Sequence, residues 1–445
     1  MLSTVVDEDR LDRQLSTLIR SSRYHDWRAA VEATGGCASP VWLRGRHLVS
    51  HTGTGEVLHE RSGRIAVACG TRREGLCASC SARYAQDAFH LIRAGLTGDD
   101  SKGVASTVAG APRVFATLTA PSFGRVHTRA EIRPGVTRPC SCGVRHPETD
   151  TRLGQPLDVD TYDYIGAVLW QAHVGDLWHR FRIRVNRLLA AAGGVRVRDL
   201  KEYVRVSYSK VAEYQRRGLI HFHAIIRVDG PDGPGSTAPV WVTAAVLDRV
   251  VRDAAAHVTV ESWRPDGELL VLGWGTVDVR PITAGGTGDT SDTTLAAYIA
   301  KYATKSSGAS DSGVDRRFTS RRAIEVWHGS AHHQAMMLTA WDLGEMDCYE
   351  HLNLHRAAHM LGFRGHFLTK SKQYSTTFKA LRAARQLHRM AELIQALDVS
   401  ETDITVINHW NLESIGHSND AERELASVIA DRQLRQRSTL ESTKE

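Results

Sequence analysis

Residues 218–228 alternate in the manner of a half-buried β-strand, in which successive side chains point to opposite faces. One face is entirely apolar and is formed by Ile220, Phe222, Ala224, Ile226 and Val228. The other face carries His221 and His223, which would stand about 7 Å apart along the strand. The apolar face predicts packing against a core. The histidine pair has a spacing that suits one divalent ion, and the alternative is two histidines that face solvent.

A second pattern, over residues 295–305, has the period of an α-helix. Its apolar stripe consists of Leu295, Ile299 and Ala303. A separate face carries two tyrosines and two lysines at helical spacing, namely Tyr298, Lys301, Tyr302 and Lys305. The polar residues of 290–294 offer an N-cap. Because the apolar stripe already supplies a packing face, the tyrosines and lysines are candidates for chemistry, and the alternative is an ordinary solvated face.

The remaining periodicities predict a chain in which strands and helices alternate. Helical spacing covers 10–19, 83–93, 162–189, 240–260, 321–343, 349–360 and 377–397. Strand-like runs cover 114–119, 204–211 and 271–281. Gly95 is expected to end the second helix, and 215–218 has the composition of a hairpin turn before the histidine strand. The predicted fold class is therefore α+β, with an antiparallel sheet covered by helices.

Shifts in composition divide the chain into three predicted domains. A stretch rich in Gly, Ser and Asp at 99–112 and a Ser/Gly-rich run at 306–313 are typical of linkers. We expect an N-terminal region with a cysteine cluster over 1–105 and a sheet-containing domain over 106–310. A helical and basic C-terminal region, with a role in DNA binding, would occupy 311–445.

Overall composition narrows the class of protein only a little. The chain has 445 residues, 42% of them hydrophobic, with a net charge of +6 and a pI near 9.0. That charge is consistent with a polyanionic partner but is also common in proteins that have none. No apolar run reaches the roughly 18 residues of a membrane span, and the first residues lack the order of a secretory signal. A cytoplasmic protein without a membrane partner is predicted.

The cysteines indicate a structural zinc site. Two close pairs stand in the chain, Cys77 with Cys80 and Cys140 with Cys142. Tetrahedral zinc takes four such ligands, so one site made from both pairs is predicted, with Cys69 as a further candidate. Unpaired thiols are the alternative, because disulfides are disfavoured in the cytoplasm. Cys37 and Cys348 stand alone and are predicted to be packing residues.

Together, the histidine strand and the Tyr-x-x-Lys-Tyr helix resemble the HUH endonuclease superfamily, and most closely its rolling-circle replication initiators. The strand 114–121, which contains Thr117-Leu-Thr119, is similar to the first motif of those initiators and precedes the histidines, as it does in the family. Residues 211–218 and 359–372 resemble initiators of actinobacterial plasmids and integrative elements. The resemblance extends over most of the chain from Cys69 to about Arg389.

The resemblance implies an HUH endonuclease domain that nicks one DNA strand at an origin. His221 and His223 would bind Mg²⁺ or Mn²⁺, and Tyr302 or Tyr298 would attack the phosphate. The products would be a 5′-phosphotyrosine and a free 3′-hydroxyl. Related initiators with one tyrosine keep the second position, so Tyr302 is expected to act first. Lys301 would orient the phosphate or neutralise the phenolate.

A third metal ligand is expected as well, because hard cations prefer at least one oxygen. Glu213 lies opposite His221 if the hairpin loop has three residues, and it points away if the loop has two. His127 and Asp163 are the other candidates for this position.

Candidate DNA contacts lie in two places. Lys305 would sit one helical turn beyond the tyrosines. The segment 362–374 interleaves cations with aromatic residues, so Arg364, Lys370 and Lys372 are predicted to meet phosphates while Phe and Tyr side chains stack on bases. A solvated basic surface is the alternative. The implied partner is single-stranded or supercoiled origin DNA. Since no phosphate-binding loop of the G-x-x-x-x-G-K-[ST] type is present, a host helicase is expected as well as a host polymerase.

Two other functions remain open. A transposase or conjugative relaxase of the same superfamily would use the same histidines and tyrosines on a transposon end or a transfer origin. A non-catalytic, zinc-containing DNA-binding regulator belongs to a different class of protein. It predicts that both tyrosines can be replaced without consequence.

Overall fold

The computed structural model of the chain describes residues 8–133, 135–282, 294–299 and 317–442. The chain divides into two compact units. The first contains the described residues up to 87 and those from 377 onward, and the second contains those between 88 and 376. Within the described part of the chain, no helix is long and apolar enough to cross a membrane.

Helices and strands alternate along most of the chain. The helices are α1 (Glu8–Ile19), α2 (Tyr24–Ala33), α3 (Ala78–Thr97), α4 (Tyr164–Ala192), α5 (Ala244–His257), α6 (described over 294–299), α7 (Arg321–Glu325), α8 (Ala331–Gly344), α9 (Leu354–Ala357), α10 (Phe378–Leu397) and α11 (Asp420–Ser442). The strands are β1 (Val41–His51), β2 (Val57–Val67), β3 (Arg113–Thr119), β4 (Ala130–Arg133), β5 (Val136–Arg138), β6 (Arg205–Tyr214), β7 (Ile220–Asp229), β8 (Thr259–Trp263), β9 (Leu269–Gly273), β10 (Val277–Pro281), β11 (Leu368–Lys370) and β12 (Ile404–Ile415). The protein is therefore a mixed α+β chain with antiparallel sheets, as predicted.

The second unit is built on a five-stranded antiparallel sheet with the order β10-β3-β7-β6-β11. The predicted histidine strand, β7, lies at its centre, and its apolar residues are buried against α4. Trp178 of α4 meets Phe222 of β7 edge-on, with 5.8 Å between the ring centroids. Helix α4 begins after Asp163, whose carboxylate accepts the N–H of Gly166 at 2.8 Å as an N-cap. The core thus fixes one face of β7 and leaves the histidine face for a site.

The β6–β7 hairpin has the three-residue loop on which the position of Glu213 depends. The N–H of Gln215 donates to the carbonyl of Leu219 at 2.9 Å, so Arg216, Arg217 and Gly218 form the loop. Gly218 has a φ of +74°, the left-handed conformation that the last position of such loops requires.

The first unit contains a three-stranded antiparallel sheet with the order β12-β1-β2. Its apolar core combines residues of both chain ends, namely Leu18, Trp27, Ala30, Val31, Trp42 and Ala426. The predicted basic helix is present as α10. Its Arg385 makes a two-pronged ion pair with the buried Asp87 of α3, at 2.5 and 3.0 Å.

This division of the chain differs from the three consecutive domains expected from composition. Residues 404–415, which carried no recognisable signal, form the strand β12 and pair with β1 over its whole length. Long antiparallel pairing holds the two chain ends in one unit. The expected separation of 1–105 from 311–445 therefore does not match the compact units of the structure.

Three local expectations are also wrong. Helix α3 does not end at Gly95 but continues to Thr97. Gly95 instead makes room for the ring of Tyr374, because a Cβ at this position would lie 2.2 Å from that ring. The single strand predicted over 271–281 is two strands, β9 and β10. In 362–374 the aromatic rings of Phe363, Phe367 and Tyr374 are buried, so they serve the core and are not available to stack on bases.

Candidate active site and metal clusters

Three side chains meet on the histidine face of the central sheet, namely Glu213 of β6 and His221 and His223 of β7. The hairpin register pairs Glu213 directly with His221. Oε2 of Glu213 lies 2.9 Å from Nε2 of His221 and 3.2 Å from Nε2 of His223. The three side chains are 11%, 16% and 4% exposed, respectively. Two imidazoles and a carboxylate at this spacing form a donor set that fits a divalent cation.

The neighbouring strand β3 orients one of these imidazoles. Thr117 lies directly across from His223, and its Oγ1 is 3.1 Å from Nδ1 of the ring. Phe115 stacks on the same ring, with 5.7 Å between centroids and 10° between planes. The hydrogen bond engages Nδ1, so Nε2 is the nitrogen that faces Glu213. This is the support that metal-binding histidines usually receive. Thr117 of the Thr-Leu-Thr motif therefore orients a candidate metal ligand, a role that could not be assigned from the sequence.

Tyr298 lies beside His223, one of the three candidate ligands. Its ring centroid is 5.3 Å from that of His223 and 6.0 Å from that of Phe115, both edge-on. The residue is 37% exposed, whereas Leu295 and Ile299 of the same helix are buried. The described part of α6 therefore has the predicted apolar stripe, with Tyr298 away from it. Three other predicted site residues, Lys301, Tyr302 and Lys305, lie outside the described residues.

A cavity of about 280 Å³ adjoins this face of the sheet. Its lining consists of Phe115, Thr117, Asp278, Arg280, Pro281, Ile282, Thr294, Leu295 and Tyr298. Within this lining Asp278 pairs across the strands with Thr117, and Arg280 forms an ion pair with Asp278 at 2.9 Å. Tyr298 therefore shares the cavity with the guanidinium of Arg280, which is 61% exposed. Sequence reasoning missed Asp278 and Arg280, because nothing in 277–281 distinguishes them before β10 is placed beside β3.

The first unit contains a group of four thiols, Cys37, Cys69, Cys77 and Cys80. The Cys37 sulfur lies 3.9 Å from that of Cys77 and 3.7 Å from that of Cys80, and Cys69 is 3.6 Å from Cys80. A disulfide would need about 2.05 Å. Four zinc–sulfur bonds of about 2.3 Å at tetrahedral angles place the sulfurs about 3.8 Å apart. The cluster therefore has the dimensions of a Cys₄ zinc site.

Local hydrogen bonds favour the thiolate form of Cys77, whereas the same contact with Cys77 raises the pKa of the Cys37 thiol. The thiol of Cys37 holds the pKa of Cys77 well below its usual range, and the N–H of Ala38 also donates to the Cys77 sulfur at 3.3 Å. The N–H of Cys69 donates to the Cys37 sulfur at 3.2 Å. Backbone donors of this kind stabilise the negative charge that sulfur ligands carry.

This grouping corrects the zinc ligands expected from sequence. Cys77 and Cys80 are together as predicted, and Cys69 joins them, but the fourth member is Cys37, which was predicted to be a packing residue. Cys140 and Cys142 belong to a different group, in the second unit. The sequence favoured the wrong partner because C-x-C looks like a second knuckle, while an isolated cysteine carries no spacing signal.

The other candidates for the third ligand have different partners. Asp163 caps α4 and binds Arg264 through both carboxylate oxygens, at 2.9 and 2.5 Å. His127 lies in the group that contains Cys140 and Cys142. Neither belongs to the His221 and His223 group, where Glu213 is the carboxylate present.

The three predicted DNA contacts in 362–374 differ in solvent exposure. Arg364 and Lys372 are exposed. Lys370 is half-buried at the sheet edge, where its ammonium donates to the carbonyls of Ser371 at 3.3 Å and Ser375 at 3.0 Å. Burial lowers the pKa of Lys370. Its bonds to the backbone hold the turn after β11.

Known proteins similar to this chain agree on one process. The family model RepSA, described as replication initiator protein, pSAM2, matches residues 23–431. A replication initiator protein of Streptomyces ambofaciens is 43% identical over 445 residues, an alignment that covers 97% of this chain and 95% of that protein. No solved structure matches the chain.

Proposed function

Because the chain belongs to the RepSA family of replication initiators, we propose that it starts replication by nicking one strand of its element's origin. In this proposal a tyrosine is the nucleophile and a divalent cation assists it, as in HUH endonucleases. The observation that carries the proposal is the position of Tyr298 beside His223, whose Nε2 faces Glu213 together with that of His221.

Glu213, His221 and His223 would hold Mg²⁺ or Mn²⁺. Bound there, the ion would polarise the scissile phosphate and offset the charge that develops in an in-line displacement. The carboxylate supplies the oxygen that hard cations prefer. Thr117 keeps the His223 ring in the orientation in which Nε2 points to the shared site. The sheet core behind β7 fixes both histidines on one rigid strand.

The chemical step moves one DNA phosphate from a 3′-oxygen to a tyrosine oxygen. A tyrosine phenol gives up its proton as its oxygen forms a bond to phosphorus, and the bond from phosphorus to the 3′-oxygen breaks. The 3′-oxygen takes up one proton and leaves as a 3′-hydroxyl. The protein retains a 5′-phosphotyrosine. Tyr302 is proposed as the first nucleophile and Tyr298 as the partner that closes the round. Lys301 would orient the phosphate, because phenol with a pKa near 10 needs a nearby cation to attack at neutral pH.

Basic side chains would hold the DNA around this site. Arg280 and Tyr298 line the same cavity, and a guanidinium there suits a phosphate next to the scissile one. Lys305, Arg364 and Lys372 remain proposed contacts. Rolling-circle replication from the 3′-hydroxyl would then need a host helicase and a host polymerase.

The Cys₄ group is proposed to hold a structural zinc. Its four sulfurs come from two separate chain segments, residue 37 and residues 69–80, so a bound ion would tie the turn before β1 to the start of α3. Closed four-sulfur sites leave no position open for substrate, and the role assigned to this ion is therefore stability alone.

A nicking assay tests the proposed function. Supercoiled plasmid that carries the element's own origin is incubated with protein and Mn²⁺, and relaxed circles with protein attached to a 5′ end are measured. We expect His221→Ala and His223→Ala to abolish nicking while they leave origin binding in a gel-shift assay largely unchanged. His257→Ala is the matched control, because His257 lies exposed on α5 of the same unit.

Two outcomes would contradict the proposal. Nicking at the wild-type rate by the double alanine variant would remove the histidines from the chemistry. Origin binding without any nicking by the wild-type protein would favour a non-catalytic regulator instead.

A further inference from the structure

We propose that the second unit holds its own zinc ion, bound by His127, Cys140, Cys142 and His146. These residues lie in the insertion between β3 and α4, and one ligand atom of each falls within 4.8 Å of the others. Two imidazoles and two thiolates form a standard structural zinc set. This site is separate from the Cys₄ group and from the Glu213, His221 and His223 group, and it does not depend on the nicking chemistry.

Distances within the group are close to those of a tetrahedral site, about 0.1 Å or more short of them before an ion is bound. Nε2 of His146 lies 3.2 Å from Nδ1 of His127 and 3.2 Å from Sγ of Cys142. Zinc bonds of about 2.0–2.3 Å at tetrahedral angles place neighbouring ligand atoms about 3.3–3.8 Å apart. The two imidazoles meet nearly at right angles, with 86° between planes, and one nitrogen of each ring lies beside the other.

The surrounding residues support these ligands as they do in metal sites. Nδ1 of His146 is 2.7 Å from Oδ2 of Asp150, which leaves Nε2 for the metal. Arg152 in turn holds both oxygens of Asp150, at 3.1 and 2.8 Å. The N–H of Thr128 donates to the Cys140 sulfur at 3.4 Å. A carboxylate behind a histidine and an amide behind a thiolate orient ligands and raise their basicity.

The insertion has no adequate apolar core of its own. Four of its seven large aliphatic residues, namely Ile132, Val136, Val144 and Val159, are 43–60% exposed, and Val126 packs on the core of the sheet. In the described residues of 122–160, Leu153 is the one large aliphatic side chain that is buried, whereas Cys140 and His146 are 5% and 2% exposed. A segment that buries polar ligands and exposes most of its aliphatic residues gains stability from a metal more than from hydrophobic packing.

A zinc ion here would steady the loop behind the active-site hairpin. Gly154, whose N–H donates to the carbonyl of His127, approaches the backbone of Arg216 so closely that a Cβ would lie 2.4 Å from it. The guanidinium of Arg216 also donates to the carbonyl of Glu148 at 2.7 Å. The loop thus packs against the β6–β7 turn, whose register places Glu213 opposite His221.

Zinc content per chain tests this inference. Purified full-length protein, dialysed against metal-free buffer, should carry two zinc ions by mass spectrometry. Cys142→Ser should lose one, Cys80→Ser should lose one, and the double variant should lose both. Cys348→Ser is the control and should keep two, because Cys348 is exposed and belongs to neither group. Cys142 is itself exposed, so its replacement removes a ligand without opening the core.

X-ray absorption at the zinc edge keeps the test decisive if a variant is unstable. The two groups together supply six sulfur and two nitrogen ligands in the wild-type protein. Cys142→Ser should leave a sulfur-only spectrum, and His127→Cys should keep two zinc ions with one nitrogen fewer. A wild-type protein with one zinc and sulfur ligands alone would overturn the inference, and so would a Cys142→Ser protein that keeps two ions.

Discussion

Single hydrogen bonds decide how the candidate catalytic site is organised. His221 and His223 could be predicted to share a face, because strand alternation depends only on local sequence. Glu213 could be placed opposite His221 once the loop length was assumed. The support from Thr117 could not be predicted, because it depends on which strand lies beside β7 and in what register.

Thr117 provides a prediction at the residue scale. Thr117→Val keeps the shape of the side chain but removes the hydroxyl that bonds Nδ1 of His223. We expect Mn²⁺ affinity, measured by titration calorimetry, to fall about 10-fold or more, since partners of metal-binding histidines typically contribute 10–100-fold. Thr117→Ser retains the hydroxyl and should bind Mn²⁺ nearly as well as the wild type. Equal affinity in the valine and serine variants would contradict the role given to Thr117.

Buried ionisable groups could not be recognised from the alternation of β6. Lys210 lies on the apolar face of the sheet and is 5% exposed, with its ammonium 3.5 Å from the centroid of the Phe222 ring. Burial lowers the pKa of Lys210 from 10.5 to about 7. The side chain is thus a titratable group in the core of the element that carries Glu213.

Lys210 makes protein stability depend on pH in a defined direction. Its folded pKa lies below the unfolded value, so between about pH 7 and 10.5 the unfolded chain binds more protons and stability rises with pH. Lys210→Met removes this cost and should stabilise the protein by about 2–4 kcal/mol at pH 7. Urea unfolding at pH 7 and pH 10 should show a smaller gain at pH 10. Lys372→Met, at an exposed site, is the control and should leave the free energy of unfolding unchanged at both pH values. A gain for Lys210→Met that is the same at pH 7 and pH 10 would show that Lys210 does not cause the pH dependence.

At the element scale the hairpin turn was predicted, but its close packing was not. Gly218 has a φ of +74°, and a Cβ there would lie 2.9 Å from the sulfur of Met336 and 3.0 Å from His333 and Leu361. Gly267, in the β8–β9 turn, has a similar φ of +87° with nothing within 4 Å of its Cβ position. The two turns therefore differ in crowding and not in backbone conformation.

This pair of glycines gives a matched test. Gly267→Ala should cost about 1 kcal/mol, from backbone strain alone. Gly218→Ala adds the contacts with α8 and should cost about 2–4 kcal/mol, with a loss of nicking because the register of Glu213 depends on this turn. Unfolding free energies from urea titration give both values. Equal losses of unfolding free energy in the two variants would mean that α8 shifts to accommodate the added methyl group without cost.

At the scale of the whole molecule, the assembly of the first unit from both chain ends was beyond sequence reasoning. β12 is largely exposed and mixed in polarity, so it lacks the pattern of a buried strand. Cys37 had no nearby cysteine to mark it as a ligand. Both features depend on contacts between residues far apart in sequence, such as the bond from His417 to the carbonyl of Cys37 at 2.9 Å.

Removal of Cys37 tests the Cys₄ site at this scale. Cys37→Ser should release one zinc ion and lower the melting temperature, because the binding free energy of a structural zinc contributes to folding. Zinc content and thermal unfolding of the same sample measure both effects, and Cys348→Ser should match the wild type in each. A Cys37→Ser protein with unchanged zinc and unchanged melting would show that Cys37 is a packing residue after all.

The central claim is tyrosine attack beside the Glu213, His221 and His223 group, and mass spectrometry of the trapped adduct tests it most directly. Single-stranded origin oligonucleotide is incubated with protein and Mn²⁺, and the peptide that carries the nucleotide is sequenced. We predict the first adduct on Tyr302, lost in Tyr302→Phe and still formed by Tyr298→Phe, because phenylalanine keeps the ring and lacks the attacking oxygen. An adduct on Tyr298 alone would reverse the order of the two tyrosines. Nicking with no adduct on either tyrosine would contradict the account.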